Sequence, residues 1–178
     1  FRISHVYSHQ NRNNERNFAG LITELPSGET LPEETSLWAR RNNWSRTHVL
    51  EAAYVIDNRR GVTFRLRHYW SRVENSRFYL LNADGDLEPT DLIAVDDDGT
   101  SPYDISYNAW SIDCVYRWIF APGSELSLVW KNVLESRGDL LPNNYAENLE
   151  EVLRVPHRNS LSFKAIYFLD YAALTGRR

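Results

Sequence analysis

The feature that most limits how this chain can fold is a period of two. Trp110, Ile112, Cys114, Tyr116, Trp118 and Phe120 occupy alternate positions, and Ser111, Asp113, Val115 and Arg117 fall between them. A helix, with its repeat of 3.6, cannot sort these residues onto two faces, whereas an extended strand does so at every step. The pattern recurs. Val62, Phe64 and Leu66 alternate with Thr63, Arg65 and Arg67, within the run Val62–Trp70. Leu126, Leu128 and Trp130 alternate with Ser127, Val129 and Lys131. Leu161, Phe163, Ala165, Tyr167, Leu169 and Tyr171 oppose Ser162, Lys164 and Asp170, and Leu50, Ala52, Tyr54 and Ile56 oppose Val49, Glu51 and Ala53. Weaker strand patterns cover Phe1–His9 and Asn17–Leu25. The expected fold is all-β and antiparallel, with about seven strands.

The connections divide this class further. Asp57-Asn58-Arg59-Arg60-Gly61 and Ala121-Pro122-Gly123-Ser124 are tight and rich in turn residues, and Gln10–Arg16 is short and Asn-rich. Pro26–Arg46, Arg72–Ser106 and Glu135–Asn159 read as long polar links. Short and long links then alternate, as they do in outer-membrane barrels with short turns on one rim and long loops on the other. Aromatics sit near both ends of the strands. Trp118 and Phe120 lie beside a short turn, and Tyr69, Trp70, Tyr107 and Trp110 near the long links, as two interfacial girdles require. The expectation is a transmembrane β-barrel. Phe64, Leu66, Ile112, Tyr116, Leu128, Phe163 and Tyr167 should face lipid, and Arg65, Arg67, Asp113, Arg117, Lys131, Lys164 and Asp170 should face the lumen.

Composition closes other routes. With 42% hydrophobic and 13% aromatic residues the chain is too apolar to be disordered. A net charge of −4 supplies no bulk positive field for nucleic acid. A helical span needs about 20 consecutive apolar residues, and no such run exists. The mean hydropathy of −0.52 looks soluble, but alternating lumen residues lower that mean in a barrel. One cysteine excludes an internal disulfide and a cysteine-built metal cluster. The chain starts at Phe1 and contains no Met, so it is read as one C-terminal piece, residues 1–178, of a larger barrel with its upstream strands elsewhere.

Several stretches carry a family resemblance. They are Leu50-Glu51-Ala52-Ala53-Tyr54, Phe64-Arg65-Leu66-Arg67-His68-Tyr69-Trp70-Ser71, Tyr107-Asn108-Ala109-Trp110-Ser111-Ile112-Asp113 and Tyr116-Arg117-Trp118. The most specific is Phe120-Ala121-Pro122-Gly123-Ser124-Glu125-Leu126-Ser127-Leu128-Val129-Trp130-Lys131-Asn132, and Asn159–Lys164 with Tyr167–Tyr171 completes the set. Together, over about Thr47 to Leu174, they resemble the C-terminal barrel domain of Bacteroidetes-type outer-membrane proteins. These pair an N-terminal family-nine carbohydrate-binding-like domain with a long β-rich domain of unknown function. Phe1–Arg46 matches loosely. The resemblance implies an outer-membrane location, lipid as the partner of the apolar face, and glycan contact only through the N-terminal domain. It implies no cofactor and no catalytic residue here. A soluble carbohydrate-binding β module and a hydrolase domain using loop carboxylates are the alternative functions.

Other constellations carry weaker chemistry. Asp96-Asp97-Asp98-Gly99 with Asp84-Gly85-Asp86 lacks the EF-hand spacing and reads as solvated loop. His5 and His9 share a strand face without a third metal ligand. Asp104 with Asp113, or Glu147, Glu150 and Glu151, are the carboxylates a glycosidase would need. Ser124 has no nucleophile-elbow context, and Cys114 sits on the apolar face as an inert thiol. Tyr145–Leu153 has helical spacing through Leu149, Val152 and Leu153. Hairpin parity gives a sharper expectation, since a one-residue slip inverts a strand. Three-residue loops at Asn58–Arg60 and Ala121–Gly123 would pair Asp57 with Gly61 and Phe120 with Ser124. They would set two lumen ion pairs, Glu51 with Arg67 and Asp113 with Lys131.

Overall fold

The computed structural model describes residues 1–25, 28–90, 101–138, 142 and 144–169. The strands are β1 (Arg2–Glu24), β2 (Thr30–Val55), β3 (Arg60–Leu81), β4 (Leu87–Thr90), β5 (Ile105–Ala121), β6 (Ser124–Gly138) and β7 (Arg158–Ile166), with one helix, α1 (Tyr145–Arg154), before β7. They form one antiparallel sheet in the order β1-β2-β3-β5-β6-β7, with β4 paired to the far end of β3, and the sheet curls into a half-barrel. The run Asp96–Gly99 and the end of the last alternating segment, Asp170 and Tyr171, lie outside the described residues.

The strands run further than alternation indicates. Gln10–Arg16 is not a link: β1 passes through it with a register shift between Arg12 and Glu15, where Asn14 adopts φ 59. Asn tolerates that left-handed conformation better than most residues. Pro26–Arg46 is not a long loop either, because β2 occupies Thr30–Val55. The β1–β2 turn is tight, closed by Leu25 N–H to Glu29 C=O and Gly28 N–H to Leu25 C=O, both 2.8 Å. The first part of Arg72–Ser106 extends β3 to Leu81 and then turns back into β4. These segments carry Arg, Asn and Glu on both faces, so they have no apolar period to read. Pairing to a neighbouring strand satisfies their backbone groups all the same. The strict short-long alternation of links therefore does not hold at β1–β2.

The β2–β3 and β5–β6 turns share a rim, where Ile119 N–H donates to Arg59 C=O at 2.8 Å. The long connections leave from the other end. Fully buried apolar side chains among the described residues gather toward that end. Leu37, Ala39 and Phe78 form one cluster with Tyr103, and Trp70, Leu134 and Val152 are buried around α1. Among the described residues the half of the sheet nearer the tight turns has no such core.

Candidate functional site

Register sorts the side chains into two faces of opposite chemistry. Glu51 pairs with Arg65, Arg65 with Asp113, and Asp113 with Lys131, so one row carries alternating charge across four adjacent strands. Ser4 and Ser160 extend the row at its two ends. Arg65 Nε lies 3.0 Å from Glu51, and Lys131 Nζ lies 3.3 Å from Asp113. Two rows nearer the tight turns, Arg117 forms an ion pair with Glu125. The partner of Glu51 is thus Arg65 rather than Arg67, which stands opposite Val49. The cause is the turn. Val55 pairs with Gly61, leaving a five-residue link in which the Asp57 carboxylate accepts from the Arg59 and Arg60 N–H groups, both at 2.8 Å. Parity survives because the register moves by two. In the second hairpin Trp118 pairs with Leu126, but a shift past Ile119 pairs Ala121, not Phe120, with Ser124. Pro122-Gly123 makes that turn, with Gly123 at φ 71.

This charged face is hollow. A groove of about 500 Å³ crosses five strands and is lined by Ser4, Glu51, Thr63, Arg65, Asp113 and Lys131, among others. A second hollow continues it toward the tight turns past Arg117, and a third lies toward the far end beside Gln10, Ser45 and Tyr69. All three open on the same face.

The opposite face carries the apolar set. Leu50 pairs with Leu66 and Leu66 with Ile112; Val62 pairs with Tyr116, Tyr116 with Leu128, and Leu128 with Phe163. Phe64 shares the face, between Ala52 and Cys114. Among the described residues no second layer covers them. Phe163 is 68% exposed, Tyr167 67% and Leu128 38%, while Phe64, Leu66, Ile112 and Tyr116 are partly exposed between neighbours on the sheet. At the tight-turn end Trp118 packs on Phe120, and Phe120 on Tyr167. At the other end the aromatics split between the faces. Tyr69 and Tyr107 meet on the groove face, and Trp110 and Trp70 lie on the apolar face, with Trp70 buried beneath α1. That end is therefore not a simple outward girdle.

α1 lies across the strands at this boundary. Asn144 caps it by accepting from Glu147 N–H, and Arg154 in its last turn pairs with Glu150. Its inner face is tied down by a buried polar chain. Tyr145 Oη meets His68 Nδ1 at 2.8 Å, and His68 Nε2 meets Asn108 Oδ1 at 3.2 Å. Asn108 and Asn148 exchange two amide bonds, at 2.9 and 2.8 Å. Burial pushes the Tyr145 hydroxyl pKa up. None of His68, Asn108 or Asn148 stands out in the sequence. Asn144 three residues before Glu147 is the capping signal that marks where their partner helix begins.

The remaining candidates do not converge on chemistry. His5 stacks on His48, with ring nitrogens 3.2 Å apart, while His9 meets the Ser45 carbonyl. Among the described residues no group of three or more His, Cys, Asp or Glu is placed to hold a metal. Asp104 accepts from Asn75 at 2.8 Å, and burial raises its pKa. From Ile105, next to Asp104, to Asp113 the strand rises about 26 Å at 3.3 Å per residue, far beyond a glycosidase pair. Ser124 is buried and its hydroxyl accepts from Phe168 N–H at 3.0 Å, a structural anchor. Asp84 and Asp86 sit in the β3–β4 turn around Gly85. Cys114 is partly buried between Phe64 and Trp130.

The family model "Domain of unknown function (DUF5916)" matches residues 1–177, including Phe1–Arg46, where the motif resemblance is loose. No curated protein and no solved structure matches the chain.

Proposed function

Because the chain belongs to this family of domains of unknown function, a description that assigns no chemistry, we propose its role from its two faces. The sheet is part of the wall of a bacterial outer-membrane β-barrel. Its apolar face meets lipid and its groove face lines a polar passage for solutes. One observation carries the reading: the hollow face is charged and the outer face is apolar. A small soluble barrel or sandwich has the reverse arrangement, since it buries apolar residues inside. A contiguous uncovered apolar surface is a liability in water and an asset in a bilayer. The dimensions agree. A tilted strand crosses the hydrocarbon in about 9–11 residues, and Trp110–Trp118, bounded by tryptophan at both ends, is that long. α1 then lies along the boundary, and the far halves of β1, β2 and β3 project beyond it.

Alternating cysteine substitutions test this in the full-length protein expressed in a Gram-negative host, with Cys114 first replaced by Ser. Cysteines at Phe64, Ile112 and Leu128 should react with a membrane-soluble maleimide and resist a charged one. Cysteines at Thr63, Asp113 and Val129 should do the opposite. Uniform labelling by the charged reagent, with the protein released by alkaline carbonate, overturns the reading.

A further inference from the structure

We propose that the groove is an anion-binding surface that takes up a soluble solute carrying several negative charges. Among the described residues, each carboxylate on this face from the tight turns to the Arg67 row is already engaged: Glu51 by Arg65, Asp113 by Lys131, Glu125 by Arg117. Arg2, Arg67, Arg158 and Lys164 remain in excess on the same face. Arg2 stands in the row next to the ion pairs on the tight-turn side, opposite Ala53. Lys164 stands one row further, opposite Ser127 and near Glu125. Arg67 and Arg158 share the row on the other side, opposite Val49 and Val133. Among the described residues no acid lies within ion-pair distance of Arg2, Arg67 or Arg158. A self-neutral row is thus flanked on both sides by cations, although the whole chain carries −4.

The spacing selects the ligand class. Arg67 on β3 and Arg158 on β7 are three strand steps apart, about 14 Å along a flat sheet and less across a concave one. A single phosphate cannot reach both, whereas a solute with several sulfate, phosphate or carboxylate groups can. A hollow whose net charge is of one sign concentrates the field and raises the local concentration of counter-ions. The groove opens on the face opposite the apolar band, so a solute reaches it without passing lipid. The inference follows from the groove itself, and it stands or falls separately from the membrane reading.

The test uses the full chain, purified from whichever fraction carries it, and the trisulfonated dye pyranine, followed by fluorescence anisotropy. Saturable binding that weakens with added salt is expected. Arg67→Glu with Arg158→Glu should weaken it about tenfold or more, because the reversed charges repel the dye. Glu51→Gln with Asp113→Asn frees Arg65 and Lys131 and should tighten it, a gain that misfolding cannot mimic. Arg154→Glu, on α1, should leave it unchanged. Absence of saturable binding by the wild type overturns the proposal. So does failure of the Glu51/Asp113 double variant to bind more tightly. If the protein is membrane-bound and binds no dye, only this inference falls; if it is soluble and binds the dye, only the membrane reading falls.

Discussion

Replacing Asn148 by leucine should release α1 from the sheet. The Asn148 side chain is fully buried and exchanges two amide hydrogen bonds with Asn108, itself buried. Leucine keeps the volume and removes both partners. The Asn108 Nδ2 group is left without an acceptor, while its Oδ1 keeps His68 Nε2 at 3.2 Å. One stranded buried donor costs about 1–3 kcal/mol, and the other lost bond adds about 1 kcal/mol, so the helix loses roughly 2–4 kcal/mol of docking energy. A ten-residue helix has little stability of its own, because isolated helices shorter than about 12–15 residues are marginal in water. At the middle of that range the undocked population rises roughly a hundredfold. Hydrogen exchange read by mass spectrometry on the 145–154 segment should show the loss directly, while β5 and β6 stay protected. A double-mutant cycle with Asn108→Ala should give a coupling above about 1 kcal/mol. If α1 exchanges in Asn148→Leu as slowly as in the wild type, the polar chain does not hold the helix and the argument is wrong.

Three further outcomes follow from the geometry. Gly123→Ala should lower the unfolding midpoint more than Gly85→Ala. Both glycines have positive φ, costing about 1–2 kcal/mol in any L-residue, but only at Gly123 would the new Cβ come within 2.9 Å of Phe168; equal midpoints would count against the contact. A Glu51→Gln and Arg65→Gln cycle should give only about 0.2–1 kcal/mol, fading with salt, since both side chains are half exposed; a coupling of several kcal/mol would mean that the groove is dry. The Asp57 carboxyl is held below its ordinary value, first by the Arg60 side chain and then by the Arg59 N–H. A depressed carboxylate stabilises the fold above its unfolded pKa. The stability difference between wild type and Asp57→Ala should therefore be constant at neutral pH and vanish as pH falls below 3.8; a difference that grows in acid reverses the sign and refutes it.

Much of this fold is legible because one face is apolar wherever the alternation is clear. At Val62–Trp70, Trp110–Phe120 and Leu126–Trp130 the side-chain period marks the strand, its two faces and the parity of both hairpins. A shift of one would exchange the faces of a whole strand, so parity is strongly specified. Legibility fails where both faces are polar. Gln10–Arg16 and most of Pro26–Arg46 are strand, yet nothing in their side chains says so, because the ladder that holds them is made of backbone groups. The exact rung is also hidden. Asp57 accepts two turn N–H groups in a loop of five residues rather than three, which sets Glu51 against Arg65 instead of Arg67.

The sequence by itself determined the class of the chain: strands, antiparallel pairing through tight turns, and two faces of opposite chemistry. Period and turn chemistry are local properties, readable within a dozen residues. Only the tertiary structure decided which charges meet and which are left over. Glu51, Arg65, Asp113 and Lys131 come from four strands, and their row exists only once strand order and register are set together. The seat of α1 is decided in the same way, since Tyr145 and Asn148 meet His68 and Asn108 across separations of 77 and 40 residues. Whether an arginine is paired or free depends on which neighbour a distant turn delivers to it, and no local pattern carries that information.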